Sequence, residues 1–327
     1  MDANAPKQKE IYMKKIKFLP LLLVAPLLTG CGNNVKAPKF DKAGEEVAAD
    51  KFAADLDEKY TAASFAKEDK LGSLVLKSKV ADQQITKDVR ADKLVIEDFN
   101  EYYEQNTTLK YDAANSLVSA DISINGKSTE KTQYGKRTGK AAQKDTMFIQ
   151  KYSKDGSDYA IRGSKKAKEL QDPTPLTEAM PMDVYCDSMV KMSLASQGAY
   201  ITDAIATYMT ASEEEQKNYK FYENGNIFTV EYAKTIEAEE HKNAEDKVDY
   251  VTSGSQKYKV QIDLTDGKWK SKLYSEVVSK TEYKLIVDGH LEGEVIEDKR
   301  LTSQDVTAEL KDVKLKAVDV SGYKEVF

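Results

Sequence analysis

"LVSADISI", Leu117–Ile124, sets Val118, Ala120, Ile122 and Ile124 on one side and Ser119, Asp121 and Ser123 on the other. Strict alternation of this kind marks a strand with one face buried and one face wet. The same pattern extends outward. "SLVLKSKV", residues 73–80, places Leu74, Leu76 and Val80 on one side. "MFIQKYSKDGSDYAIRG", residues 147–163, gives two strand-like runs about Asp155-Gly156, a strong hairpin signal. Residues from about 73 to 163 are thus predicted to form an antiparallel meander.

Helical spacing flanks and interrupts these strands. Asp50 precedes Phe52, Leu56 and Tyr60 at intervals of four, with Ala49 and Ala53 on the same flank, which predicts an Asp-capped amphipathic helix from about Asp50 to Ala63. Later, Pro173, Pro175 and Pro181 mark an irregular stretch. After them "VYCDSMVKMSLASQGAYITDAIATYM" places apolar residues at 185, 189, 192, 201, 205 and 208. That spacing predicts one or two helices, with Gly198 as a candidate break, inside an insertion of about residues 176–216. Strand patterns then resume. "YKFY" and "IFTVEY" flank the turn "ENGN", and "YKVQIDL" and "WKSKLY" flank "TDGK". "YKLIVDG" and "VKLKAV" continue the alternation, and the charged "AEEHKNAED" reads as an exposed loop. No repeat at a fixed period is visible.

This order predicts an α+β fold dominated by an antiparallel β-sheet, with an N-terminal helix and a central helical insertion, over residues 49–327. A helix, a run of strands, a helical insertion and a second run of strands resembles the lipoprotein-carrier superfamily. The resemblance is architectural, from about Asp50 to Val320, and rests on no motif. It implies an open half-barrel over helices that encloses an apolar cavity for acyl chains, and it assigns no residue.

The start of the chain has a different character. "FLPLLLVAPLLTGCG", Phe18–Gly32, follows Lys14, Lys15 and Lys17. Its unbroken apolar run is roughly half the ~20 residues that a spanning helix needs, and Pro20 and Pro26 disfavour a core helix. A basic segment, a short apolar segment and a small-residue end make residues 1–30 a signal peptide, with Met13 as the expected true start. Leu28-Thr29-Gly30-Cys31 resembles the lipobox of bacterial lipoproteins. That resemblance implies that Leu28, Thr29 and Gly30 are read by the signal peptidase, that a diacylglyceryl group is placed on the Cys31 sulfur, and that Cys31 becomes the first mature residue. It places the protein in a bacterial cell envelope, held to a membrane by lipid. The polar residues 31–48, with Pro38 and Gly44, are expected to form a flexible tether.

Without residues 1–30 the chain holds 44 basic and 53 acidic side chains, a net charge of −9. Nucleic-acid binding rests on clustered cations, so no nucleic-acid partner is expected. The densest basic run, "SKKAK" at Ser164–Lys168, reads as a solvated turn or helix end. With Cys31 lipidated, Cys186 has no partner in the chain, which leaves the fold to its hydrophobic core and Cys186 to a buried, inert position.

Catalytic and cofactor motifs are incomplete. Gly126-Lys127-Ser128 resembles the tail of a phosphate loop, yet Asp121 stands where the first glycine is required, and Asn125-Gly126 reads better as a hairpin turn. Ser64-x-x-Lys67, Ser123-x-Asn125 and Arg137-Thr138-Gly139 follow the order of penicillin-recognising enzymes, but the third comes too soon after the second. His241 and His290 are the only histidines, neither with a metal-type partner four residues away. No catalytic residue, metal ligand or cofactor is therefore assigned. The 19 tyrosines, among them Tyr219, Tyr232, Tyr258 and Tyr283, are attributed to β propensity ahead of an aromatic-lined groove. The expectation is a non-enzymatic binding or carrier lipoprotein for a hydrophobic or amphipathic ligand. The alternatives are a surface protein-interaction module with a filled core and an anchored enzyme.

Overall fold

The structure is a computed structural model that describes residues 35–62, 71–90, 93–265, 269–310 and 312–327. Cys31 and the rest of the lipobox lie outside these residues, as do Ser64 and Lys67. The described strands form a single sheet: β1 (Glu45–Val47), β2 (Leu71–Arg90), β3 (Lys93–Asp112), β4 (Leu117–Thr132), β5 (Gly135–Lys154), β6 (Ser157–Ser164), β7 (Glu169–Pro175), β8 (Tyr219–Asn224), β9 (Ile227–Lys242), β10 (Val248–Asp263), β11 (Trp269–Tyr283), β12 (Val295–Leu310) and β13 (Lys324–Glu325). Their spatial order is β1-β8-β9-β10-β11-β12-β2-β3-β4-β5-β6-β7-β13. Every pairing is antiparallel except β13 on β7, and β1 and β13 are open edges. The architecture is the mostly β, α+β fold that the alternation predicts.

Helix α1 (Ala49–Ala62) begins one residue before Asp50, which therefore sits in the first turn, where its charge complements the helix dipole. Phe52 and Leu56 are buried, Phe52 with its ring 5.1 Å from Phe221 and 5.4 Å from Phe228. Helix α2 (Met182–Thr210) runs unbroken past Gly198. Short α3 (Glu213–Gln216) follows, capped by Ser212. The buried stripe of α2 passes through Tyr185, Cys186, Val190, Ile201 and Ala204, whereas Met192, counted as apolar spacing, is exposed. Near its start the Cys186 thiol donates to the Ser116 carbonyl at the β3–β4 turn, and near its end Tyr208 packs on Tyr219 and Phe221 of β8. Helix α2 thus lies across the strands. Its 29 residues measure about 43 Å, and the eight strand spacings from β5 to β8 measure about 38 Å. One helix can therefore brace both strand groups into a single core that contains Leu109, Tyr111, Val118 and Ile149 as well as Val230, Ile262 and Trp269. Among the described residues no helix is long and apolar enough to cross a membrane.

Several sequence readings change. Asn125-Gly126 is not a turn: Gly126 lies within β4, opposite Tyr103 on one side and Ala141 on the other. Aligning Val118 and Ala120 with Ile149 and Met147 fixes the turn midpoint at Gln133-Tyr134, so core burial overrides the local turn signal. The Asp155-Gly156 hairpin does form, with Lys154 opposite Ser157 and φ of 51° and 78° at the two turn residues, as a type I′ turn requires. Strand β9 continues through Lys242, so only the end of "AEEHKNAED" is loop. Strand β11 stops at Tyr283, and the "VKLKAV" segment belongs to no strand.

The two terminal segments lie on the face of the sheet away from the helices. Residues 31–48 are expected from the sequence to form a flexible tether, but within their described part, 35–48, Val35 is buried and β1 pairs with β8. The side-chain amide of Gln261 accepts from the Asp41 N–H at 2.8 Å and donates to its carbonyl at 3.0 Å, which satisfies a buried polar side chain and backbone together. Lys272 pairs with Asp41 at 2.6 Å. Gln150 clamps Val318 in the same way, at 2.7 and 2.9 Å, and holds the C-terminal segment over Phe148, Ile161 and Leu170.

Candidate functional site

A row of paired residues crosses the sheet where the helical cover ends: Tyr219, Tyr232, Tyr258, Ser275, Thr302 and Val80 stand opposite one another in successive strands. Partners in register share a face, so this row is fixed by pairing alone. The tyrosine rings pack together, with centroids of Tyr219 and Tyr232 4.7 Å apart and of Tyr232 and Tyr258 5.0 Å apart. Beyond Tyr258 the row drops to small Ser275 and Thr302, and α2 presents Ala204 and Thr207 above them. Small residues on both surfaces leave a crevice of about 610 Å³, also lined by Tyr200, Leu273, Gln256, Gln304 and Arg300.

Polar groups are concentrated around this space. Tyr232 donates to Glu215 Oε1 at 2.6 Å, and Lys234 pairs with the other carboxylate oxygen, which ties α3 to β9. Lys234, then Tyr232, hold the Glu215 carboxyl below its ordinary range. Burial, reinforced by hydrogen bonding to Glu215 and Tyr219 respectively, pushes the Tyr232 and Tyr258 phenols up. Gln304 donates to the Tyr200 hydroxyl at 3.2 Å. Arg300, whose Nε lies 3.8 Å from Asp82, also borders a second crevice of about 360 Å³ with Gln84, Phe99 and Asp298. One guanidinium therefore lines both crevices.

Tyr219, Tyr232 and Tyr258, first attributed to strand propensity, are gathered into one site. Tyr283 belongs elsewhere: it stacks on His290 at 4.2 Å, and Tyr250 stacks on His241 at 4.4 Å. Arg300, Gln304, Asp203 and Glu215 carry no sequence signal, since their proximity depends on register and on where α2 ends. Cys186 is fully buried, and that burial raises its thiol pKa to about 12, as suits an inert position. Gly126-Lys127-Ser128 is mid-strand with no helix to cradle phosphate. Ser123 and Asn125 pair with Lys144 and Ala142, away from Arg137-Thr138-Gly139.

No family model and no curated protein matches the chain. Among solved structures, the crystal structure of OccK7 (OpdD) of Pseudomonas aeruginosa is similar over 72% of this chain and 99% of that chain, at 6% identity and a TM-score of 0.22. A likeness that loose carries no functional argument.

Proposed function

We propose that this chain is a lipid-anchored extracytoplasmic protein of the bacterial cell envelope that binds or carries an amphipathic ligand without catalysing a reaction. The anchor rests on the leader and on Leu28-Thr29-Gly30-Cys31. The binding reading rests on one observation, the crevice of about 610 Å³ between α2 and the tyrosine row. Its volume falls in the roughly 300–1,000 Å³ range of small-molecule sites, and such sites combine an apolar wall with a few placed polar groups. Here Tyr219, Tyr258, Leu273 and Ala204 offer the wall, and Gln256, Gln304 and Arg300 the polar end. A ligand with an apolar body and a polar head matches that division.

The test is a titration of the purified protein with fluorescent acyl probes of increasing chain length, preceded by native mass spectrometry for a copurifying molecule. Each buried CH₂ contributes about 0.8 kcal/mol, so affinity should rise roughly fourfold per added CH₂ until the crevice is full. Ser275→Phe, which fills the crevice from its floor, should abolish saturable binding while the protein stays folded. A weak response without chain-length dependence, unchanged by Ser275→Phe, would instead favour a protein-interaction module.

A further inference from the structure

We propose that the outer face of the sheet around the N-terminal strap, residues 35–42, is a docking surface for anionic lipid, and that it holds the domain flat against the membrane with the crevice turned away. This rests on Cys31 being the lipidated residue. The first observation is length. A stalk of residues 31–48 could reach about 60 Å, but Asp41 is clamped by Gln261 and Lys272, β1 is paired, and Val35 is buried. Only Cys31–Asn34 separate the acylated sulfur from the folded domain. Four residues span at most about 14 Å, little more than the ~10 Å separation of two packed sheets. A domain held that close cannot move freely above the lipid headgroups.

The second observation is charge. The mature chain carries a net charge of −9, yet residues 35–42 contain Lys36, Lys39 and Lys42, all exposed. Their single carboxylate, Asp41, is paired to Lys272. Lysines held near an anionic leaflet are drawn to its surface charge, and three within eight residues act together. The third is geometry. Phe40 lies against Lys259, and Gln261 faces the strap, whereas Tyr258 and Val260, their neighbours in β10, face the helices and the crevice. Successive residues of a strand point to opposite faces, so a strap turned toward lipid turns the crevice toward the aqueous side. Ligand would then be exchanged with the aqueous side or with a second protein, and not drawn directly from the anchoring leaflet.

The experiment uses the full, lipidated chain in vesicles with 30% anionic lipid and with none, and energy transfer from a protein-bound dye to a headgroup acceptor. One dye is placed on Lys257→Cys, on the outer face of β10, and another on Asp203→Cys, on the crevice side. Buried Cys186 takes no label. Transfer should be clearly stronger from position 257 than from position 203 in anionic vesicles, and Lys36→Glu/Lys39→Glu/Lys42→Glu should shrink the difference. Equal transfer at both positions in protein shown to carry labelled fatty acid would overturn the docking proposal. Fatty-acid incorporation that persists in Cys31→Ala would instead overturn the anchor reading.

Discussion

The two ends of the same strands are stabilised in different ways. At the helix-covered end, Val260 and Ile262 of β10 and Trp269 of β11 are almost fully buried against α1, α2 and their neighbours. Toward the other end β10 and β11 are half-buried, with none of the fully buried residues of the covered end. There the ladder hydrogen bonds are supported by cross-strand pairs such as Lys257–Glu276–Lys299, which are partly solvated and individually weak. A long strand can therefore be core over half its length and scaffold over the other half. The crevice lies at the boundary, where cover ends and side chains shrink from Tyr258 to Ser275 and Thr302. A crevice at such a boundary needs no dedicated loop.

The sharpest contrast between the two ends should come from truncation. Phe52→Ala leaves a cavity among Phe221 and Phe228 and should cost about 3–5 kcal/mol, whereas Ile236→Ala on the bare end should cost under about 0.5 kcal/mol. Denaturant midpoints at constant m-value measure both, and equal losses would break the comparison. Smaller effects are expected at two strand glycines. A Cβ at Gly163 would lie 2.1 Å from the Phe148 ring, itself packed on Tyr323, so Gly163→Ala should destabilise by about 1–3 kcal/mol. At Gly126 the nearest atom is Ala141 Cβ at 3.5 Å, so Gly126→Ala should be neutral or slightly stabilising, by up to about 1 kcal/mol. A loss above about 1 kcal/mol at Gly126 would mean that its strand neighbours leave no room for a Cβ.

The smallest effect concerns pH at the edge of the crevice. The Glu215 carboxyl is held low in the folded protein by Lys234 and Tyr232. Its contribution is therefore fully present above the ordinary Glu pKa of about 4.3 and is lost as pH falls through the lower folded value. Glu215→Gln should remove that part of the acid dependence and change stability at pH 7 by under about 1 kcal/mol. Thermal melts of both proteins between pH 3 and 7 would show whether the curves converge in acid, as this linkage requires.

Local pattern was sufficient to place α1 from Phe52 and Leu56, the two-residue turns at Asp155-Gly156 and in "ENGN", and the strand character of Leu117–Ile124. It failed at Asn125-Gly126, where a strong turn signal is overruled by the alignment of Val118 and Ala120 with Ile149 and Met147. It failed again at "VKLKAV", where Val318 is held by the Gln150 side chain without joining a strand.

What the sequence determined by itself is what depends on near neighbours: the strand character of segments such as Leu117–Ile124 and where helical periodicity interrupts the strands. Propensity, alternation and capping act over a few residues and can be read along the chain. Tertiary structure decided what depends on register: the order of the strands, the row that brings Tyr219, Tyr232 and Tyr258 beside Ser275 and Thr302, the meeting of Arg300 with α2, and the clamping of Asp41 by Gln261 from 220 positions away. A shift of one residue in any pairing would send those side chains to the opposite face. Register is set by burying the whole core at once, and no single segment encodes that.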